Sequence, residues 1–111
     1  RNRTLTVDGI FATVTVYLLI AMTFSLLYLL LVEWRPASFN LHVEGMPPQL
    51  LQGNLLYFSL ITLATVGYGD VLPVSETART LAVIAATVGQ FYIAVVVAVF
   101  VGMYATQQRG N

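Results

Sequence analysis

Three long charge-free runs of mostly apolar residues divide this chain. The first, Gly9–Val32, lies between Asp8 and Glu33 and is dominated by Leu, Ile, Val and Phe. As a helix rising about 1.5 Å per residue it exceeds the roughly 30 Å hydrocarbon core of a bilayer. Tyr28 and Trp34 fall near its end, where aromatic rings favour the membrane interface. The last run, between Arg79 and Arg109, is also long enough to span with some tilt. It is rich in Ala, Val and Gly, which lets helices approach closely.

The middle run, Gly45–Gly69, could by length alone be a third span. Pro47 and Pro48 argue against a helix starting before about Gln49, and Gly67 and Gly69 end it by about Thr65. The remainder, 52–64, gives about 20 Å of helix, too short to cross. Non-helical backbone survives at membrane depth only if it is buried in protein or lines a watery cavity. A short helix ending in a Gly-rich turn therefore suggests a pore. The expected elements are an outer helix 9–32, an extracellular loop 33–51, a pore helix 52–64, a turn 65–70 and an inner helix 78–106, within one domain 1–111. No internal repeat or low-complexity segment interrupts them.

Composition narrows the class. Of 111 residues, 58% are hydrophobic and 9% charged, against about 25% charged in soluble domains. This predicts a single-domain membrane protein. There is no Lys, and five Arg balance five acids, so nothing points to nucleic acid or to a strongly charged partner. The absence of Cys excludes disulfides and thiolate metal sites. The first run is too long for a signal-peptide core and lacks a small-residue cleavage pattern. The opening residue is Arg1 rather than Met, which predicts a piece trimmed from a longer sequence. Two spans put both termini on one side. The terminal segments carry Arg1, Arg3 and Arg109 against Asp8; the stretch between carries Arg35 and Arg79 against Glu33, Glu44, Asp70 and Glu76. The Arg excess predicts cytoplasmic termini and an outside loop.

Residues Thr65–Asp70 read T-V-G-Y-G-D. A cation stripped of water needs a ring of oxygens in its place. Backbone carbonyls can supply it if successive ones point the same way, whereas in an ordinary strand they alternate. Alternating left- and right-handed backbone turns them to one side, and left-handed backbone is cheap at Gly67 and Gly69. The candidate ion-binding residues are thus Thr65, Val66, Gly67, Tyr68 and Gly69, with the Thr65 hydroxyl adding an oxygen. The side chains of Val66 and Tyr68 are then expected to face outward and pack on surrounding protein. The plainer alternative, an ordinary Gly turn, fits poorly after a half-span and between two full spans.

With this motif, the half-span before it, and Pro73 and a full span after it, the chain resembles the two-transmembrane bacterial potassium channels. The resemblance covers nearly the whole chain. T-V-G-Y-G is the run by which potassium filters are known, so the ion's identity comes from the resemblance and not from spacing. It implies an all-α membrane protein in which two transmembrane helices flank a re-entrant pore helix and a selectivity-filter loop, four copies surrounding a central pore. It implies K+ ions bound in the filter with no organic cofactor, membrane lipids as partners, passive conduction, and a bacterial or archaeal plasma membrane. The intact G-Y-G implies potassium over sodium. No nucleotide motif or catalytic cluster suggests an enzyme, and no Arg-rich span suggests a voltage sensor. The pore helix would bring about half a negative charge near Ala64 and Thr65 towards the pore.

Other residues carry two readings each. Asp70 follows the filter; the resemblance implies a bond to an aromatic and an acid on the pore helix. Tyr57 and Phe58 hold the aromatic positions, but Ile61 holds the acid's, so that carboxylate pair is absent. Asp70 is either a partner of Tyr57 or a solvated charge attracting cations. Gly89 is a gating-hinge candidate by resemblance, or a site of close helix packing; Gly102 is a second candidate. Gln90 shares a helical stripe with Ala94, Val97 and Val101, a candidate cavity wall leading to an apolar constriction over 97–105; alternatively Gln90 bonds another helix. Arg79 either holds an anionic lipid headgroup or pairs with Glu76. His42 reads as a solvated loop residue. Two rival readings of the whole remain: the pore of a ligand-gated channel whose sensor followed Arg109, and a two-span accessory subunit that does not conduct.

Overall fold

Thr6 starts the first helix. Its hydroxyl accepts from the Gly9 N–H at 3.0 Å, and Asp8 in the first turn meets the positive end of the helix dipole. A computed structural model describes residues 6–109, so Arg1 and Arg3 of the terminal charge count lie outside the described residues. Helix α1 spans Val7–Trp34, two residues beyond the expected run at each end. It stops because Pro36 disfavours helical backbone at Arg35, which is extended at φ −135° and ψ 92°. A single 3-10 turn follows at Pro36–Ser38.

Helix α2 spans Pro48–Leu63. It begins four residues before the expected 52, and the preceding loop is shortened to match. Pro47 is the N-cap and Pro48 the first helical residue, where a missing N–H is no loss and φ is already set. The proline pair therefore starts this helix instead of delaying it. At 16 residues it is still only about 24 Å long. Helix α3 spans Glu76–Arg109 without interruption. Ser75 Oγ accepts from the Ala78 N–H at 3.1 Å, and Glu76 and Arg109 complement the two ends of its dipole. It overruns the expected 78–106 at both ends. The fold is all-α, and the lone β-bridge among the described residues joins Phe39 to Pro73.

Helices α1 and α3 run antiparallel. Tyr92 Oη donates to the Thr13 carbonyl at 2.6 Å, while the Ser38 carbonyl accepts from Val74 and Ser75 at 2.7 and 3.2 Å. Helix α2 packs against both on one side of that crossing. There the core collects Phe24, Tyr28 and Leu31 of α1, Leu51, Leu55 and Phe58 of α2, and Ala78, Ala82 and Ala85 of α3. The small residues of α3 let α2 come close. Rings of Tyr28, Phe39 and Phe58 meet edge to face with centroids 5.2–5.5 Å apart, the arrangement aromatic quadrupoles prefer. Ser59, fully buried, donates to the Ala21 carbonyl at 2.6 Å.

Beyond α2 the two long helices have little but each other. Leu18, Leu19, Leu26 and Leu30 of α1 and Val88, Phe91, Val95 and Val99 of α3 are exposed. Contiguous apolar surface on this scale requires lipid or partner chains to cover it. Both helices are long and apolar enough to cross a membrane.

The ring cluster yields a paired expectation. Phe58→Ala should cost about 3–5 kcal/mol and lower the melting temperature in micelles. Tyr28→Phe should leave it unchanged or raise it, because the Tyr28 hydroxyl is buried and has no partner among the described residues. The reverse order would remove this cluster from the core.

Candidate functional site

The loop that leaves α2 changes hand at every residue. Thr65, Gly67 and Gly69 have φ of 61°, 57° and 86°, while Val66 and Tyr68 do not share the left-handed region. Glycine takes that conformation freely, and a Cβ at Gly67 or Gly69 would meet nothing within 4 Å, so backbone hand, not space, calls for glycine there. Thr65 is β-branched and pays about 1–2 kcal/mol for the same conformation. The sequence pointed to left-handed backbone at the two glycines and not at Thr65.

Hydrogen bonds hold the pattern at its inner end. The Thr65 N–H donates to the Thr62 carbonyl at 3.2 Å; the Val66 and Gly67 N–H groups both donate to the Ile61 carbonyl, at 2.9 and 3.3 Å. No peptide among the described residues is cis, so each carbonyl points opposite the N–H of its own peptide plane. The carbonyls of Thr65 and Val66 therefore both point away from α2. In a regular strand they would point to opposite sides.

The side chains of Val66 and Tyr68 are 50% and 74% exposed. The packing expected around them is not supplied by their own chain, which turns no residue of 64–70 into its core. At the outer end, Asp70 is held on both oxygens: Tyr57 Oη donates to Oδ2 at 2.9 Å and the Val71 N–H to Oδ1 at 3.1 Å. The bond to Asp70, then burial and the charges of Asp70 and Tyr68, raise the Tyr57 pKa above its ordinary 10.0. Of the two readings of Asp70, the structure displays the bonded one. Ile61, at the acid's place, is buried. Asn40, absent from the sequence reading, bonds Asp70 and Leu72 from the other side. Nothing in a loop asparagine thirty positions upstream marks it for this role. His42 is exposed.

Below the loop, Thr65 and Gln90 border one open hollow of about 370 Å³ with Ala86, Thr87 and Phe91. Thr87 and Phe91 were not anticipated. Ala94 and Val101 lie exposed further along α3. Val97 is exposed as well and also borders an apolar groove with Thr13, Tyr17, Tyr92 and Ile93. Gly89 is buried against α2: a Cβ there would lie 2.7 Å from the Leu63 carbonyl oxygen and 2.9 Å from its Cα. Helix α3 continues unbroken through it. Close packing is thus what the geometry displays at Gly89, while Gly102 has open space. Arg79 is exposed in the first turn of α3.

Gly89→Ala should push α3 off α2 and cost about 1–3 kcal/mol, whereas Gly102→Ala should be neutral or stabilising by up to about 1 kcal/mol; thermal denaturation of both variants compares them. A second expectation concerns pH. A raised tyrosine pKa means the Tyr57–Asp70 bond is complete below pH 10 and lost as pH rises through the raised value. Ultraviolet titration of Tyr57→Phe against the unaltered protein should remove a late-ionising tyrosine; removal of an early one would contradict the bond.

The chain is 40% identical over 62 residues to the voltage-gated potassium channel Kch of Escherichia coli (strain K12), covering 56% of this chain. It spans 12% of that relative's length. A family model described as an ion channel matches residues 12–106, taking in most of α1, all of α2 and the Thr65–Asp70 loop, and most of α3. An apolar two-span protein with a short helix and a hand-alternating loop between its spans, this chain belongs to that ion-channel family.

Proposed function

We propose that the chain forms a potassium-selective pore that conducts passively, with four copies closing a ring of filter loops. The observation that carries this is the shared direction of the Thr65 and Val66 carbonyls, continued by the alternating φ values through Gly69. One loop supplies one side of an oxygen cage, so a monovalent cation needs several loops facing it. Carbonyls of Thr65, Val66, Gly67 and Tyr68 with the Thr65 hydroxyl then replace its hydration shell in stacked sites, and repulsion between ions in adjacent sites offsets tight binding. The name of the Escherichia coli relative supports potassium as the ion.

The remaining parts fit that task. The exposed Val66 and Tyr68 side chains would be covered by neighbouring copies, holding the ring open. Helix α2 enters as a re-entrant pore helix and turns its C-terminal end, worth about half a negative charge, towards the hollow under Thr65. Gln90 and Thr87 line that hollow, where an ion regains water. Helix α3 lines the pore and α1 faces lipid, with both termini cytoplasmic in a bacterial or archaeal plasma membrane. Arg79 stands at the outer interface, placed for an anionic headgroup.

The test is flux from liposomes holding the purified protein, potassium against sodium, with and without barium. Barium-sensitive flux favouring potassium is expected, with its selectivity lost in Gly67→Ala, which must take φ near 57° with a Cβ. Equal flux of both ions would sink the selective reading. A monomer without flux, indifferent to potassium, would favour the accessory-subunit alternative.

A further inference from the structure

The loop's N–H groups are tied unevenly. Those of Thr65, Val66 and Gly67 have acceptors at the end of α2, but none within the chain, among the described residues, takes the N–H of Tyr68, Gly69 or Asp70. The inner half of the loop is thus fixed from α2. The outer half must be fixed from its far end, or its peptides are free to rotate about Gly69, whose missing Cβ offers no resistance.

At that far end stands Asn40. Its Nδ2 donates to the Asp70 carbonyl at 3.1 Å, and its Oδ1 accepts from the Leu72 N–H at 2.8 Å. Its own N–H donates to the Leu72 carbonyl at 3.1 Å. One side chain therefore holds two consecutive peptides, in the manner of a strand partner. Each plane is rigid, so fixing the Asp70 carbonyl also fixes the Val71 N–H opposite it, which donates to Asp70 Oδ1. The anchor is itself anchored: Ser38 bonds Val74 and Ser75, and Phe39 is buried in the ring cluster.

We propose that Asn40 is a positioning residue for ion selection, its amide fixing the peptides just outside the filter and through them the direction of the outermost carbonyls. This rests on the pore reading above. Tyr57 holds the Asp70 side chain; Asn40 holds the backbone.

Two variants separate the halves of the clamp in the full chain reconstituted in liposomes. Asn40→Leu removes donor and acceptor. Asn40→Asp keeps size and the acceptor for Leu72, but sets an oxygen against the Asp70 carbonyl. At neutral pH both should lower the potassium-to-sodium permeability ratio by about tenfold, the scale of one or two net hydrogen bonds. Amide exchange at Leu72 should quicken in Asn40→Leu and stay slow in Asn40→Asp. Acidifying the outer solution to about pH 4, near the ordinary carboxyl pKa, gives the introduced acid an O–H donor and should restore the ratio in Asn40→Asp alone. Asn40→Leu and the unaltered protein at the same pH supply the baseline. An unchanged ratio in both variants overturns the proposal, as does a loss that acid does not reverse in Asn40→Asp, since a residue that merely packs its loop gives no such recovery. If Asn40→Leu does not assemble, the pH dependence of Asn40→Asp decides. An unaltered protein passing both ions equally overturns the pore reading instead, and Leu72 exchange then tests the clamp directly: no acceleration in Asn40→Leu removes it.

Discussion

The Thr65 and Val66 carbonyls face the same way because the N–H groups behind them find an acceptor on the opposite side. The Ile61 carbonyl is that acceptor. It lies in the last turn of α2, where helix carbonyls lack partners within the helix, and it accepts from both Val66 and Gly67. The helix end thus needs donors, the loop needs acceptors, and each satisfies the other. What α2 requires in turn explains much of the rest. The helix is short, and it is held against both spans.

The holding is done by small and aromatic residues in a division of labour. Ala78, Ala82, Ala85 and Gly89 form a stripe on α3 with almost no side-chain volume, against which α2 lies close. Tyr28, Phe39 and Phe58 fill the wider gap towards α1. In lipid, where apolar surface has little to gain by leaving the solvent, such close packing and internal hydrogen bonds are the main source of cohesion. The buried Ser59–Ala21 bond belongs to the same account.

Much of this was legible beforehand in the placement of charges and of the two loop glycines. Asp8, Glu33, Arg79 and Arg109 bracket two apolar runs long enough to span, and Gly67 and Gly69 mark a backbone hand that few residues tolerate. Where a residue has two physical uses, sequence could not choose. Proline ends helices and also begins them, so Pro48 was read as a delay when it is the first helical residue. Glycine bends helices and also lets them touch, and at Gly89 the structure adds the close approach of Leu63. Thr65 and Asn40 were beyond reach for a different reason: the hand of one and the bonds of the other are imposed by tertiary partners that a sequence does not place.

The uneven placement of α2 has a mechanical consequence. Towards the loop, three elements brace one another through rings and hydrogen bonds; towards Arg109, α1 and α3 meet chiefly where Tyr92 bonds Thr13 and stacks on Tyr17. Local stability follows packing, so the chain is a stiff collar on compliant legs. Beyond Gly89, seated on Leu63, α3 continues for some 30 Å to Arg109 with α1 as its chief companion. Displacement of that stretch would disturb few of the contacts that hold the collar together.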